Sequence, residues 1–356
     1  MAISPLAFRR AAGSANERSK IKPMPVLLEV TLKSVALVFV LLTGFAYLSL
    51  VERKVLARMQ ARIGPNRAGP MGLLQPVADG LKLIFKESIT PAQVDKPMYF
   101  LAPVLVVVPA LILFAVIPVG KGPTFQLASD INVGALYVVG VMGVAVYGIT
   151  LAGWASNNKY AALGGLRASA QVISYELGMG LSIVAVVLMA SSASLAEIVE
   201  AQMPGNILGW FVFRQPVAAA IFAVTAMAEL ARAPFDLVEA EQELTAGFMT
   251  EYSGMKFALF FMGEYVKMIA VSALFVTFFL GGWSGPFVDQ APILSVGYFT
   301  VKVVACLLLM IWARATLPRM RYDRLMGFGW KVLTPVAIAN VIVTALLIVS
   351  GVPGYR

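Results

Sequence analysis

Eight apolar runs constrain what this chain can fold into more than any other feature of its sequence. A helix needs about 20 mostly apolar residues to cross the hydrocarbon core of a bilayer. Hydrophobic residues make up 59% of the chain and charged residues only 13%, which is about half of the charged fraction in a soluble domain. We therefore predict an all-α integral membrane protein with about eight transmembrane helices. The predicted spans are residues 27–50, 98–119, 131–152, 168–190, 216–231, 257–281, 295–313 and 333–351.

These spans are predicted to form one polytopic membrane domain, residues 27–356, which follows a basic N-terminal tail, residues 1–26. The tail is rich in Lys and Arg but lacks the apolar segment of a secretory signal. We interpret it as a flexible basic tail rather than as a transit peptide.

The distribution of Lys and Arg between the loops predicts how the chain is oriented. Most of the loop Lys and Arg residues follow the first, third, fifth and seventh spans, whereas the other loops contain only Lys121 and Arg214. Because short cytoplasmic loops carry an excess of Lys and Arg, the first set of loops is predicted to face the cytoplasm or a mitochondrial matrix. Both termini then face the opposite side. The same rule accounts for the net charge of +9, so this charge does not indicate nucleic-acid binding.

The loop after the first span contains a different kind of helix. Residues 71–88, MGLLQPVADGLKLIFKES, place most apolar side chains on one helical face and most charged side chains elsewhere. This pattern is typical of an amphipathic helix that lies on the membrane surface. An ordinary packed helix of a small loop domain is the alternative. The preceding residues 62–70, RIGPNRAGP, are rich in Gly and Pro and predict a turn.

Two scarce residue types limit the chemistry that the chain itself can perform. The sequence has no histidine and a single cysteine, Cys306, within an apolar run. Haem, iron–sulfur and zinc sites usually take several His or Cys ligands, and one cysteine cannot form a disulfide within the chain. We therefore predict no metal site and no redox metal in this chain.

An acidic stretch begins at the end of the fifth predicted span and continues through the loop after it, on the side where the loops are otherwise basic. Carboxylates that are crowded together raise one another's pKa, as does removal from water, so such groups can exchange protons near neutral pH. A solvated acidic turn is the alternative interpretation. The acidic residues of this stretch are Glu229, Asp236, Glu239, Glu241, Glu243 and Glu251.

Other ionisable residues lie within predicted spans, where a charge at the bilayer centre costs ~2.5–3.5 kcal/mol on insertion scales. Glu176 lies in the fourth span, and Glu264 and Lys267 lie in the sixth. Glu264 and Lys267 have the i,i+3 spacing that allows a pair on one helix face. Such residues usually face the interior of a membrane protein or a water-filled cavity. Together with the acidic stretch, they predict that protons move through or beside this chain.

Four long segments of the sequence resemble one protein family. They are ERKVLARMQARIGPNRAGP with GLLQPVADGLKLIFKE (52–87), GWASNNKYAALGGLRASAQVISYE (153–176), ELARAPFDLVEAEQELTAGFMTEYSGMKFALFFMGEY (229–265) and RATLPRMRYDRLMGFGWK (314–331). In this order they are similar to the H subunits of respiratory complex I, the proton-pumping NADH:quinone oxidoreductase, over nearly the whole chain beyond the tail. Val238 and Met249 stand where the family often has Pro and Asn, and neither departure affects a charged motif position.

The resemblance implies a subunit of the membrane arm, at the place where the peripheral arm docks, that helps to form a quinone chamber. The implied substrate is a quinone, either ubiquinone or menaquinone, while NADH, flavin and iron–sulfur clusters belong to other subunits. The implied partners are the peripheral-arm subunits of the quinone site, small membrane subunits that lead to antiporter-like subunits, and membrane lipid, but not nucleic acid. The implied location is the bacterial plasma (inner) membrane, with the mitochondrial inner membrane as the alternative.

The same resemblance implies roles for individual residues. The positions implied for the quinone chamber are Glu52, Arg53, Arg62, Ala78, Phe235 and Asp236. The positions implied for proton coupling are Glu176, Glu229, Asp236, Glu239, Glu241, Glu243, Glu251 and Glu264. Two alternatives stay open at this point. One is the related subunit of a membrane-bound hydrogenase, which has no quinone step, and the other is an independent proton-coupled transporter, which would need a substrate site near the midplane.

Overall fold

The computed structural model describes residues 26–122, 127, 131–203, 206–237, 245–288 and 290–352. Residues 1–25 of the predicted tail lie outside this part of the chain, as do three of the residues implied for proton coupling, Glu239, Glu241 and Glu243. Within the described ranges every regular element is a helix and no strand is present.

The helices follow the order of the predicted spans. They are α1 (Val26–Met59), α2 (Gln75–Phe85), α3 (Lys96–Ile112), α4 (Gly134–Ala155), α5 (Lys159–Ala190), α6 (Leu195–Ala201), α7 (Phe211–Arg214), α8 (Pro216–Glu229), α9 (Gly254–Phe279), α10 (Ile293–Thr316), α11 (Tyr322–Phe328) and α12 (Thr334–Val349). Short 3-10 turns lie at Pro70–Gly72, Leu113–Ala115, Asn206–Gly209 and Gly247–Met249. A π-helical segment, Gly329–Leu333, joins α11 to α12.

The predicted all-α membrane fold is confirmed. Seven helical segments in the described part of the chain are long and apolar enough to cross a membrane. The fifth predicted span is the exception, because α8 is an apolar helix of 14 residues, shorter than a full crossing requires. It ends at the buried Glu229, two residues before the predicted boundary. The predicted amphipathic helix is α2, which buries none of its residues and exposes Ile84 and Phe85 by 59% and 84%.

The chain divides into two compact units, residues 1–38 and 39–356. In the described part of the first unit, Glu29 and Lys33 form an ion pair of 2.7 Å along one helix face. Every residue of the candidate site belongs to the second unit.

Small residues allow the helices of the second unit to pack closely. Gly153 of α4 lies against α5, so that a Cβ atom placed on it would be 3.1 Å from Gly165 Cα and 2.6 Å from the Ala161 carbonyl oxygen. Contacts between Gly and Ala let transmembrane helices approach one another in this way. On the other side of α4, Gly148 lies against α3, where its Cβ would be 2.6 Å from Val106. Close packing of this kind holds α3, α4 and α5 in a fixed arrangement.

Two helices form the centre of this unit. The most apolar stretches of α5 and α9 have 56% and 61% of their residues buried, compared with 28% for α10 and 17% for the continuous helix Tyr322–Val349. The exposed apolar faces of the latter two fit contact with lipid or with other membrane proteins. Glu176 of α5 and Glu264 and Lys267 of α9 therefore lie on the two most buried spans.

Candidate functional site

A row of ion pairs joins three helices through Arg232, in the turn that follows α8. Its Nη1 donates to Glu52 Oε2 of α1 at 2.7 Å, and its Nε donates to Glu264 Oε1 of α9 at 2.6 Å. Glu52 also accepts a hydrogen bond from Arg314 of α10. The side chains of Glu52 and Arg232 are only 3% and 8% exposed, so dissolved ions screen this network little. The result is a buried row of alternating charge.

Arg232 is held in its charged form. Burial disfavours the charge, but the carboxylates of Glu264 and Glu52 outweigh this effect and raise the pKa of Arg232 above its ordinary range. The guanidinium also lies over the ring of Tyr265, 4.4 Å from its centroid, where the ring face attracts a cation. Arg232 is therefore a fixed positive charge between two carboxylates.

A second buried ion pair lies one helical turn further along α9. Lys267 Nζ donates to Glu229 Oε1 at 2.6 Å and to the Glu229 carbonyl oxygen at 3.3 Å. The Glu229 side chain is fully buried and that of Lys267 is 12% exposed. The other carboxylate oxygen of Glu229 is buried and has no hydrogen-bond partner within the described ranges.

This pairing corrects the one that helix spacing predicted. Glu264 and Lys267 do not pair with each other; Glu264 pairs with Arg232 and Lys267 with Glu229. An exposed i,i+3 pair contributes a few tenths of a kcal/mol, whereas a buried charge without a partner costs several kcal/mol. The deeply buried Glu229 and Arg232 therefore determine the partners.

Glu176 lies in the middle of α5, half-buried against α4. A Cβ atom on Gly143 of α4 would be only 2.9 Å from Glu176 Oε1, so the carboxylate occupies the space that the glycine leaves free. Glu229 and Lys267 act electrostatically on Glu176. Glu176 therefore lies within electrostatic range of the Glu229–Lys267 pair.

A cavity of about 50 Å³ lies between α3, α4, α8 and α9. Its polar lining comes from Glu229, Glu264 and Lys267, and the remaining wall is mostly apolar, including Val106 and Phe260. A cavity needs about 10–15 Å³ of this volume for one water molecule, so a few waters fit. The two buried ion pairs therefore border one common cavity.

Two further acidic residues within the described ranges, Asp236 and Glu251, do not line this cavity. Glu251 accepts a hydrogen bond of 2.7 Å from Asn158 Nδ2 at the start of α5, and it does not line the cavity. Asp236 is half-buried in the turn after Arg232. Its neighbour Phe235 is buried against Tyr175, with 5.6 Å between ring centroids.

The residues implied for a quinone chamber lie in two groups. Arg53 and Ala78 are exposed on α1 and α2, where Arg53 donates to Asp79 at 2.7 Å. Arg62 is exposed just beyond α1 and donates to Gln60 at 2.8 Å. The other group, Glu52, Phe235 and Asp236, is buried or half-buried near Arg232. None of the six lines the cavity between the two ion pairs.

Sequence reasoning missed two contributors to this site and assigned a third to the wrong partner. Arg314 was counted only as a loop cation, yet it pairs with Glu52. Lys267 was predicted only as a partner of Glu264, whereas it pairs with Glu229. Gly143 carried no signal, because a glycine in an apolar helix is common in membrane proteins. The position of Arg314 at the start of a motif segment was the one available hint.

Metal binding has no support from side-chain placement in the described part of the chain. There, no three or more Asp, Glu or Cys side chains are grouped so as to hold a metal ion. The charged groups instead pair with one another, as buried charges in membrane proteins usually do.

Comparison with known proteins identifies the family. The model of the NADH dehydrogenase family matches residues 32–345. H subunit 2 of the NADH-quinone oxidoreductase of Koribacter versatilis is 49% identical over 90% of this chain and 97% of its own length. The corresponding H subunit 2 of Geobacter sulfurreducens is 52% identical over 86% and 92%, and the H subunit of Thermomicrobium roseum is 49% identical over 88% and 94%. This chain belongs to the family of NADH-quinone oxidoreductase H subunits.

Proposed function

We propose that this chain helps to form a quinone-binding chamber and couples quinone reduction to proton translocation. Membership of the H-subunit family makes the chain one subunit of an oxidoreductase complex, and its spans make it a multi-pass membrane protein. Its proposed partners are the peripheral-arm subunits that complete the chamber, the small membrane subunits that lead to antiporter-like subunits, and lipid. Flavin and iron–sulfur clusters are proposed to reside in other subunits, and the proposed location is a bacterial plasma membrane.

A buried ionic path from Glu52 to Glu176 is the observation that carries this proposal. Arg232 links Glu52 to Glu264, and Glu264 shares a cavity with Glu229. Glu229 in turn acts electrostatically on Glu176. Ionisable residues inside a membrane are costly and mark paths of ions or protons. The path has the composition that a proton relay requires.

The quinone end of this path is proposed to be the exposed surface of α1 and α2. Arg53 follows Glu52 directly on α1, so the surface and the buried path meet there. Arg53 and Arg62 carry planar arrays of donors that suit quinone oxygens, and Ala78 leaves space beside them on α2. Other subunits would close the chamber, since these side chains are exposed in the chain alone.

The proposed coupling is electrostatic and conformational. Reduction of a quinone creates negative charge and a demand for protons, both of which act on Glu52, Arg232 and the acidic stretch from Asp236 onward. A displacement of Arg232 towards the quinone end weakens its bond to Glu264, and the resulting change of charge at Glu264 alters the protonation of the neighbouring carboxylates. Glu239, Glu241, Glu243 and Glu251 are proposed to supply protons as members of that stretch.

Glu176→Gln tests the proposal in the complete complex. The variant keeps the size of the side chain but cannot carry a proton, so proton pumping coupled to NADH oxidation should fall about tenfold or more. Pumping and NADH:quinone turnover are measured in proteoliposomes at equal amounts of assembled complex. Pumping and turnover at the wild-type level in this variant would contradict the proposed relay.

Two glycines of α4 offer a test that leaves every charge in place. Gly143→Ala places a methyl group 2.9 Å from Glu176 Oε1, so the flexible carboxylate must move, whereas Gly140→Ala meets nothing within 4 Å. We expect normal assembly in both variants and reduced pumping only in Gly143→Ala. Equal pumping by the two would show that the position of the Glu176 carboxylate is unimportant.

A further inference from the structure

We infer that Lys267 is an exchangeable counter-ion, which pairs with Glu229 in one state and with Glu264 in another. The inference rests on the proposed function and adds a positioning residue to it. Lys267 does not carry the transferred proton in this scheme. It determines which of the two carboxylates is ionised.

A second carboxylate, that of Glu264, lines the same cavity as the Lys267–Glu229 pair. Its ammonium group holds one oxygen of Glu229, while the second oxygen of that carboxylate has no hydrogen-bond partner in the described ranges. Glu264 lies three residues earlier on α9, at the spacing where helical side chains are neighbours. All three side chains line the same cavity. Because that cavity has room for a few waters, the ammonium group can cross it while it stays hydrated.

The charges around Lys267 determine what its movement does to the protonation of the neighbouring carboxylates. Glu52 and Glu264 are matched by Arg232 and Arg314. Beyond them, Glu176 and Glu229 share the cation Lys267. Among the described elements that pack against α5, α8 contributes Glu229, α6 contributes Glu197 and Glu200, and the π-helical segment contributes Lys331. Glu197, Glu200 and Lys331 are exposed, and the charges that act on Glu176 are those of Glu229 and Lys267. This second group therefore has one surplus negative charge.

A surplus charge so far from water is neutralised by binding a proton. While Lys267 pairs with Glu229, that carboxylate is held ionised and the proton belongs on Glu176. When Lys267 moves to Glu264, Glu229 loses its counter-ion and takes the proton. Arg232 then remains with Glu52. Movement of one ammonium group thus converts a change at the quinone end into a proton transfer between carboxylates.

Substitution of Lys267 in the complete complex provides the first test. Lys267→Met should lower proton pumping about tenfold or more, because loss of an adjacent opposite charge changes the proton affinity of a carboxylate by at least that factor. Lys267→Arg keeps the charge and should restore most of the pumping. Lys302→Met is the matched control, since Lys302 is a largely buried lysine of α10 that donates to the carbonyl oxygens of Leu280, Gly282 and Ser284. We expect its ratio of pumped protons to oxidised NADH to stay at the wild-type value.

Infrared difference spectroscopy on reduction by NADH provides the second test, and its first part needs no Lys267 variant. The wild-type complex should show a new protonated-carboxyl band that is absent from Glu229→Gln. In Lys267→Met, Glu229 should already be protonated in the resting enzyme, so the band should be missing from the difference spectrum on reduction. A merely structural ion pair produces neither change.

The outcomes separate this inference from the proposed function. Wild-type pumping by Lys267→Met together with impaired pumping by Glu176→Gln would overturn the inference alone. Absence of a Glu229 band from the wild-type difference spectrum would also overturn it, even if Lys267→Met fails to assemble. Wild-type pumping by both Glu176→Gln and Lys267→Met would refute the proton relay and the counter-ion together.

Discussion

Arg232→Met should destabilise the second unit because it removes the cation from the middle of the buried ionic row. Glu52 keeps Arg314 as a partner, but Glu264 loses its ion pair with Arg232. Removing one partner of a buried pair costs about 3–5 kcal/mol. The Glu264 side chain is 19% exposed and borders the cavity, so we expect a value near the lower limit, about 3 kcal/mol, or roughly a 100-fold change in an equilibrium constant.

The rate of thermal inactivation of the assembled complex is the suitable measurement, because a complex of many subunits has no single free energy of unfolding. The single variants Arg232→Met and Glu264→Gln are compared with the double variant. The double variant leaves no uncompensated charge, so it should recover part of the loss, with a coupling energy of about 1–3 kcal/mol. Arg53→Met is the matched control. Its ion pair with Asp79 is half-exposed on the arginine side and should contribute about 1 kcal/mol or less.

Two results would refute this reasoning. Inactivation of Arg232→Met at the rate of Arg53→Met would mean that the buried row contributes no more than an exposed pair. Additive effects in the double variant would mean that Arg232 and Glu264 do not depend on each other.

Three further predictions follow from the geometry. Asn158→Ala removes the hydrogen bond to Glu251 and the bond that caps α5; it should cost about 1–2 kcal/mol, seen as faster thermal inactivation. Gly164→Ala should cost about 1–3 kcal/mol, because its Cβ would lie 2.8 Å from backbone atoms of the loop before α9, whereas Gly180→Ala meets nothing within 4 Å and should be tolerated. Arg62→Ala should raise the KM for quinone about tenfold without altering assembly, as measured by steady-state NADH:quinone kinetics, and an unchanged KM would remove Arg62 from the proposed chamber.

The helices could be predicted from the sequence because a membrane span is a local property. Length and apolar composition determine it, and neither depends on the rest of the fold. The amphipathic helix α2 was predictable for the same reason, since its polar and apolar faces follow from residue spacing alone. The predicted boundaries were less accurate where polar residues remain helical, as at Glu52 and Arg53 near the end of α1. The orientation of the chain across the membrane stays a prediction.

The partners of the charged residues could not be predicted. Arg232 and Glu52 are 180 positions apart in sequence, and no spacing rule connects residues at that distance. The spacing rule that was available joined Glu264 to Lys267, and it led to the wrong pair. Neighbours on the same helix compete with residues on other helices as partners in an ion pair. Which pair forms depends on which charge is most deeply buried. Likewise, Gly143 acquires meaning only when the packing of α4 against α5 brings it to Glu176.

The two ionic groups differ in their balance of charge, and the proposed coupling depends on this difference. The first, Arg314–Glu52–Arg232–Glu264, has equal numbers of positive and negative charges and includes an arginine whose charge is held by its neighbours. In the proposed mechanism, the side chains of this group respond to a nearby charge by changing position. The second group, Glu176–Glu229–Lys267, has one cation for two carboxylates. One oxygen of Glu229 also has no hydrogen-bond partner within the described ranges. In the proposed mechanism this group responds by binding or releasing a proton. Glu264 belongs to the first group and lines the same cavity as Glu229 and Lys267 of the second. In the proposed mechanism it is therefore the position where displacement of charge leads to movement of a proton.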